Sequence, residues 1–305
     1  MSGAPARPDN LRGALWMLGS ALGFTAMTVL IKFLGDDYPA TLQTFYRQAA
    51  GLVILLPIII RRRGAAFATT RPGILFFRSA AGTLGIVLSF YAFQEMPLAD
   101  ANALSFTRTL WLVPLAAFVV KETVGPLRIA AALVGFLGVL LMVRPGAGGE
   151  FALGLPALAM LAASFLFAMT ITGMKVMTRD HSPTVLLVWS ATLGFVLSIP
   201  GAFFGWRWPE PMDFALLCAM GVLGTITQAC YIKGMQQGDA AAMAPIDYTR
   251  LVFSAAAGFL LFSEVPSVWT IAGASVVVAS TLFITIREQQ LARSAKLSAV
   301  PEREA

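Results

Sequence analysis

Ten stretches of about 20 apolar or small residues, set apart by short polar breaks, leave this chain few folds to adopt. A helix rises about 1.5 Å per residue, so roughly 20 residues cross the ~30 Å of hydrocarbon in a bilayer. In hydrocarbon every backbone polar group must bond within the protein, which admits only helices and closed barrels. Runs such as LVILLPIII, Leu52–Ile60, do not alternate as barrel strands must. Only 12% of residues are charged, against about 25% in soluble domains, too few to cover a water-facing surface. The fold class is therefore an all-α integral membrane protein.

The spans are expected at 13–34, 38–60, 72–93, 98–120, 126–143, 152–174, 183–204, 211–232, 240–262 and 268–286. Breaks between them, such as GDDYP, RRRG, KETVGP and WRWPEP, carry turn and charge signals. Pro39, Pro72, Pro126, Pro183 and Pro266 stand at or just before span starts, where a proline is tolerated. The stretch from Phe203 to Trp208 reads as interfacial, which blurs the end of the seventh span. The short polar N-terminus has no apolar leader core, so the first span is expected to be retained. The polar residues from 288 onward read as a flexible tail.

The net charge of +6 is distributed as a membrane orientation signal, not as a nucleic-acid surface. With the N-terminus in the cytoplasm, the inside segments hold Arg7, Arg12, Arg61, Arg62, Arg63, Arg71, Lys121, Arg128, Lys175, Arg179, Lys233, Arg287, Arg293, Lys296 and Arg303, 15 in all. The outside segments hold Lys32, Arg144 and Arg207, only 3. Cytoplasmic loops carry the excess of basic residues, so both termini are expected inside. Cys218 and Cys230 fall in one span and are not expected to bridge.

The chain also resembles itself after a shift of about 140 residues. LADANALSFTRTLWLVPLAAFVVKE at 98–122 matches QGDAAAMAPIDYTRLVFSAAAGFLLFSE at 237–264. Asp100 aligns with Asp239, Thr107-Arg108 with Thr249-Arg250, and Glu122 with Glu264. Five spans per half is an odd number, so the halves, 1–147 and 148–287, are expected as inverted repeats. Many secondary transporters share that plan, with a binding site near the midplane between the repeats.

The repeated segment carries the candidate chemistry. Arg250 lies ten residues into its span, about 15 Å deep. A guanidinium at that depth must face a bundle interior or a wet cavity. Asp247, three residues earlier, is expected to share its face and pair with it. Such a pair can lock the ninth span to its neighbours, hold a donor fork ready for a ligand, or couple a proton through Asp247, though the neighbouring arginine opposes protonation. Arg108 has no acid within one turn and needs a partner elsewhere.

The candidate binding set is Arg250, Tyr248, Asp247, Arg108, Asn102, Gln94, Gln228, Tyr91 and Trp16, with Tyr46, Phe90, Phe106 and Trp111 as further apolar walls. Asp100, Asp239, Glu122 and Glu264, with the shallower Arg47 and Arg78, are assigned to gating or structure. Small-residue pairs such as Gly82/Gly85, Gly135/Gly138 and Gly221/Gly224 are packing devices first.

No phosphate loop, metal-binding cluster, nucleophile elbow or dinucleotide fingerprint occurs, and there is one histidine, which argues against an enzyme. No metal or cofactor is expected.

Two segments carry a resemblance to a known family: GDAAAMAPIDYTRLVFSAAAGFLLFSEVPSVWTIAGASVVVAS, and its weaker partner ending in KETVGPLRIAAALVGFLGVLLMV. With ten spans in two halves, they make the chain similar to the drug/metabolite transporter superfamily, in its ten-helix EamA-type branch. The resemblance covers nearly the whole chain. It includes the glutamate after the fourth helix of each half, Glu122 and Glu264, and a glycine-rich last helix. It implies a metabolite transporter of the cell inner (cytoplasmic) membrane, with a central cavity lined largely by the first, third and fourth helices of each half.

The solute class stays open across the family, which spans amino acids, nucleotides, sugars, cofactors and drug-like amines. The four arginines within spans, Arg47, Arg78, Arg108 and Arg250, favour an anionic group such as the carboxylate of an amino acid. A riboflavin- or S-adenosylmethionine-type metabolite is the alternative, and a channel or scaffold a more distant one. The expected partners are a small metabolite and membrane lipid, with a coupling proton or counter-transported solute left open. No nucleic-acid partner and a monomeric state are expected.

Overall fold

The structure, a computed structural model, describes residues 10–119, 125–143, 154–177, 183–237, 243 and 246–298. Its helices are α1 (Asn10–Phe33), α2 (Ala40–Arg62), α3 (Pro72–Glu95), α4 (Leu98–Ser105), α5 (Thr107–Phe118), α6 (Pro126–Val143), α7 (Leu155–Met177), α8 (Pro183–Phe204), α9 (Pro211–Gln237), α10 (Thr249–Phe262) and α11 (Val268–Ser298). A short 3₁₀ turn, Arg63–Phe67, follows α2. Pro72, Pro126 and Pro183 open helices, where their missing N–H would have had no partner in any case.

Seven described helices are long and apolar enough to cross a bilayer, and two shorter apolar helices, Pro126–Met142 and Thr249–Phe262, accompany them. Two differences from the expected spans stand out. The fourth span is not one helix but α4 and α5, broken at Phe106. The final helix runs on to Ser298, well past the expected end at 286, because nothing between Arg287 and Ser298 is a glycine or proline that would stop it.

Packing follows the small residues, as it must where lipid removes the hydrophobic drive between helices. Ser20 Oγ of α1 donates to the Thr227 carbonyl of α9 at 3.0 Å, while Gly13 and Met17 sit against Gly234. Numbers rise along one helix as they fall along the other, so α1 and α9 are antiparallel. The same holds for α3 on α7, where Gly82 lies beside Thr170 and Gly85 beside Phe167. It holds also for α2 on α8, with Thr41 at Gly201 and Gln48 at Gly194. On α6 and α11 the backbones nearly touch: a Cβ at Gly138 would come 2.9 Å from the Gly273 carbonyl oxygen.

Counted by span, the first packs on the eighth and the third on the sixth. The second packs on the seventh, and the fifth on the tenth. Exchanging the halves maps this set of contacts onto itself. One apolar core joins both halves, from Ile31 and Leu42 through Leu104 and Leu110 to Leu217, Met220 and Val277. On one rim, Trp206 of the expected interfacial stretch packs on Phe45 and Tyr46, and Arg207 pairs with Asp37 at 2.9 Å.

Candidate functional site

The two Thr-Arg steps have the same local structure. Phe106 and Tyr248 precede them with nearly identical backbones, φ −70°, ψ −16° and φ −73°, ψ −12°. After each, the chain tightens to a three-residue bond: Thr109 N–H to the Phe106 carbonyl, and Leu251 N–H to the Tyr248 carbonyl, both 3.0 Å. Each threonine hydroxyl turns back, Thr107 to the Leu104 carbonyl and Thr249 to the Ile246 carbonyl, both 2.7 Å. Carbonyls released at a helix break inside a membrane need such donors. Each break therefore carries its own repair, and the arginine follows one residue later in both copies.

The breaks meet at the centre. The rings of Phe106 and Tyr248 lie 4.6 Å apart at 43°. Arg250 is only 8% exposed, and its guanidinium carbon stands 4.2 Å from the Phe106 ring centre and 4.7 Å from that of Phe24 on α1. A guanidinium between two aromatic faces is stabilised at about 0.5–2 kcal/mol per face, yet keeps its in-plane donors for other partners. Its Nε has no hydrogen-bond partner.

The expected Asp247–Arg250 pair is not formed. Asp247 acts on Arg250 at longer range, with Arg108, Tyr231 and Tyr248 in the same electrostatic neighbourhood. The reason is the break at Tyr248, which lies between the two residues and removes the continuous turn that the i, i+3 spacing assumed. Among the described residues, Asp247, Arg108 and Arg250 are the charges that act on Tyr231 of α9.

The other candidates are placed as follows. Tyr248 reaches Thr281 of α11 through its hydroxyl. Asn102 is fully buried and donates to the Leu98 carbonyl at 2.9 Å, leaving its Oδ1 without a partner. Gln94 donates to the Tyr38 carbonyl at 3.1 Å and braces the α1–α2 turn. Tyr91 lines a lateral groove of ≈ 520 Å³ with Pro39, Val87 and Leu155. Trp16 carries Lys233 over its ring at 4.4 Å, Trp111 packs on Phe136 and Phe165, and Gln228 is exposed on α9.

Arg47 and Arg78 each contact a neighbouring helix. Arg47 sits over Phe90 at 5.9 Å against Gly221 and Gly224 of α9, and Arg78 donates to Ser190 of α8. Of the gating candidates, Glu122 and Asp239 lie outside the described residues. Glu264 forms an ion pair with Lys32 and accepts the Leu98 N–H at 2.8 Å. Asp100 is buried beside it.

Sequence reasoning missed Phe24, Tyr231 and Lys32. Phe24 and Tyr231 look like ordinary apolar or interfacial residues, and no spacing ties either to Arg250. Lys32 did stand out as one of three basic residues on its side of the spans, but its count there pointed to orientation, not to a partner.

The chain matches the EamA-like transporter family twice, over residues 11–144 and 154–286. It is 30% identical to the S-adenosylmethionine uptake transporter of Rickettsia bellii (strain RML369-C), over 91% of this chain and 94% of that one. It is 28% identical to a riboflavin transporter of Vibrio cholerae, over 93% and 96% of the two chains. With the pseudopaline exporter CntI of Pseudomonas aeruginosa it shares 26% identity, over 90% and 95%. A solved crystal structure with 20% identity shares the fold, at a TM-score of 0.58 over 90% of this chain and 98% of its own. With two family matches that leave few residues uncovered, on a helical bundle of membrane-spanning length, the chain belongs to the EamA-like transporter family, whose members are membrane transporters and not enzymes.

Proposed function

We propose that the protein is a secondary transporter of the cytoplasmic membrane that carries a small metabolite bearing a carboxylate, by alternating access. The observation that carries this reading is Arg250, buried between Phe24 and Phe106, with Arg108 and, among the described residues, one acid, Asp247, acting on it. A carboxylate would match the free donors of the arginines bidentately. Asp247 is free to take an ammonium, so the head group of an amino acid suits both signs of charge.

A second reading narrows the first. The tilted Phe106–Tyr248 rings offer apolar faces to a planar group. Relatives named for S-adenosylmethionine and riboflavin uptake or transport support a cofactor-type solute. A nucleoside that carries an amino-acid head group would use the rings and the charges together.

Alternating access rests on an inverted relation of the halves, 1–147 and 148–287. Equivalent helices support it: α2 against α8 and α6 against α11 run antiparallel, as they must if one half is the other turned over. The charge bias supports an orientation with both termini in the cytoplasm. The test is a metabolite screen in reconstituted vesicles, repeated with Arg250→Gln and Arg108→Gln. A carboxylated hit whose uptake is saturable and weakened by either change upholds the reading. Simple cations as the best solutes, unaffected by both changes, would sink it.

A further inference from the structure

We infer that Asp100 is a proton-binding site whose occupancy is tied to closure of the bundle end where α1 stops and α4 starts. The inference does not depend on the identity of the solute. At that end Lys32 Nζ donates to Glu264 and, at 2.7 Å, to the Met96 carbonyl, and it lies 5.5 Å from the Phe262 ring centre. The second oxygen of Glu264, Oε2, accepts the N–H of Leu98, the first residue of α4. One carboxylate thus joins the end of α1, the start of α4 and the end of α10.

Asp100 sits behind this contact, in the first turn of α4, only 6% exposed. Its neighbours are Thr270 from α11, Glu264 from beyond α10, and Lys32 from α1. From α7 comes the hydroxyl of Ser164, which turns to the Leu104 carbonyl, and Glu95 at the end of α3 is exposed. Among the described residues, Glu264 and Lys32 are therefore the charges around Asp100. The Oδ1 atom of Asp100 has no hydrogen-bond partner.

The charge count then locates the proton. Two carboxylates and one ammonium, all ionised, leave one uncompensated negative charge out of water. That costs more than a helix N-terminus returns to an acid in its first turn. Both oxygens of Glu264 are engaged, one by the Lys32 ammonium and the other by the Leu98 N–H. Asp100 has an empty oxygen and deep burial, which favour its neutral form. Closure thus takes up one proton, turning the Asp100 carboxylate into a carboxylic acid. Opening breaks the Glu264–Leu98 contact, admits water, and returns that proton to solution. By linkage, acid favours the closed end and alkali the open one.

The test needs no solute. Spin labels on cysteines at the exposed positions Glu95 and Val265, with Cys218 and Cys230 changed to serine, would report the separation of α3–α4 from the end of α10 in liposomes. The open fraction is expected to rise with pH in the parent protein. Asp100→Asn, neutral at every pH, should hold the end closed and flatten that dependence, and Asp100→Glu should restore it with a shifted midpoint. A distance distribution that ignores pH in the parent, or one that responds equally in Asp100→Asn, overturns the assignment. If Asp100→Asn fails to fold, the Asp100→Glu midpoint alone decides: an unshifted midpoint rejects the site.

Discussion

Phe106 and Tyr248 hold the same position in the two copies of the repeated segment, and their rings touch at the centre of the molecule, 4.6 Å apart. Each marks the residue where a span breaks before its Thr-Arg step. The contact places the two internal copies against each other at the point where the chemistry is gathered. A pair of aromatic rings contributes about 0.5–1.5 kcal/mol beyond area burial. A double-mutant cycle of Phe106→Leu and Tyr248→Leu, read by thermal unfolding in detergent, should return a coupling of about that size. Additive effects would mean that the rings are adjacent without mutual stabilisation.

Arg250 is expected to matter for affinity before it matters for stability. Losing a charge-assisted bidentate contact costs roughly 1.5–3 kcal/mol, or about ten- to a hundredfold in affinity. Arg250→Gln should raise the KM for a carboxylated solute by about that factor. An uncharged analogue of the same solute should be much less affected. Equal losses for both would show that Arg250 shapes the cavity without touching the charge.

Gly258 leaves room for the latch. A Cβ there would lie 2.7 Å from Glu264 Oε2, so Gly258→Ala must shift the carboxylate that accepts the Leu98 N–H and is expected to weaken that contact. Alanine adds about 1 kcal/mol of helix propensity, while loss of the charge-assisted bond removes roughly 1.5–3 kcal/mol. The net effect should favour opening of the Lys32 end. Cysteine labelling at the buried Ala99 should speed up severalfold in Gly258→Ala, and unchanged labelling would show that Glu264 can find another route to α4.

Ser263 adopts φ 57°, the only positive φ of a non-glycine residue among those described, and this left-handed step turns Glu264 back so that its N–H reaches the Gly258 carbonyl at 3.0 Å. A β-branched residue tolerates that conformation poorly, at a cost of about 1–2 kcal/mol. Ser263→Val should therefore loosen the same latch, whereas Ser263→Gly should leave it intact. Matching behaviour of the two variants in the Ala99 labelling assay would remove backbone geometry as the cause.

Orientation has a direct check. The basic-residue bias puts the 3₁₀ turn after α2 in the cytoplasm and the α1–α2 turn outside. In intact cells an impermeant thiol reagent should reach a cysteine at Asp36 and spare one at Gly64. The opposite pattern would invert the sidedness of the Lys32 end.

Much of the bundle was legible before any tertiary structure. Hydrocarbon forces each apolar run of sufficient length to become a helix, so span number and approximate bounds follow from local composition alone. Shared markers such as Thr107-Arg108 and Thr249-Arg250 announced the repeat for the same local reason. The break at Phe106 was not legible, because no proline or glycine stands there and the run LSFTRTLWLV carries only serine, threonine and arginine among its apolar residues, none of which by itself stops a helix. That break depends on threonine hydroxyls repairing the carbonyls it releases, a balance that composition does not encode.

The site itself belongs to the tertiary structure. Arg250 and its depth could be read from one span, and the sequence required only that a buried guanidinium find some environment other than lipid. Which environment depended on packing. Asp247, the near neighbour in sequence, is carried out of contact by the turn at Tyr248, while Phe24, more than two hundred residues away, supplies one face. Glu264 likewise was visible as an acid after a span, but its partners Lys32 and Leu98 arrive from another half of the chain. Sequence determines that polar groups buried in a membrane must be satisfied; only the packing of distant helices decides by what.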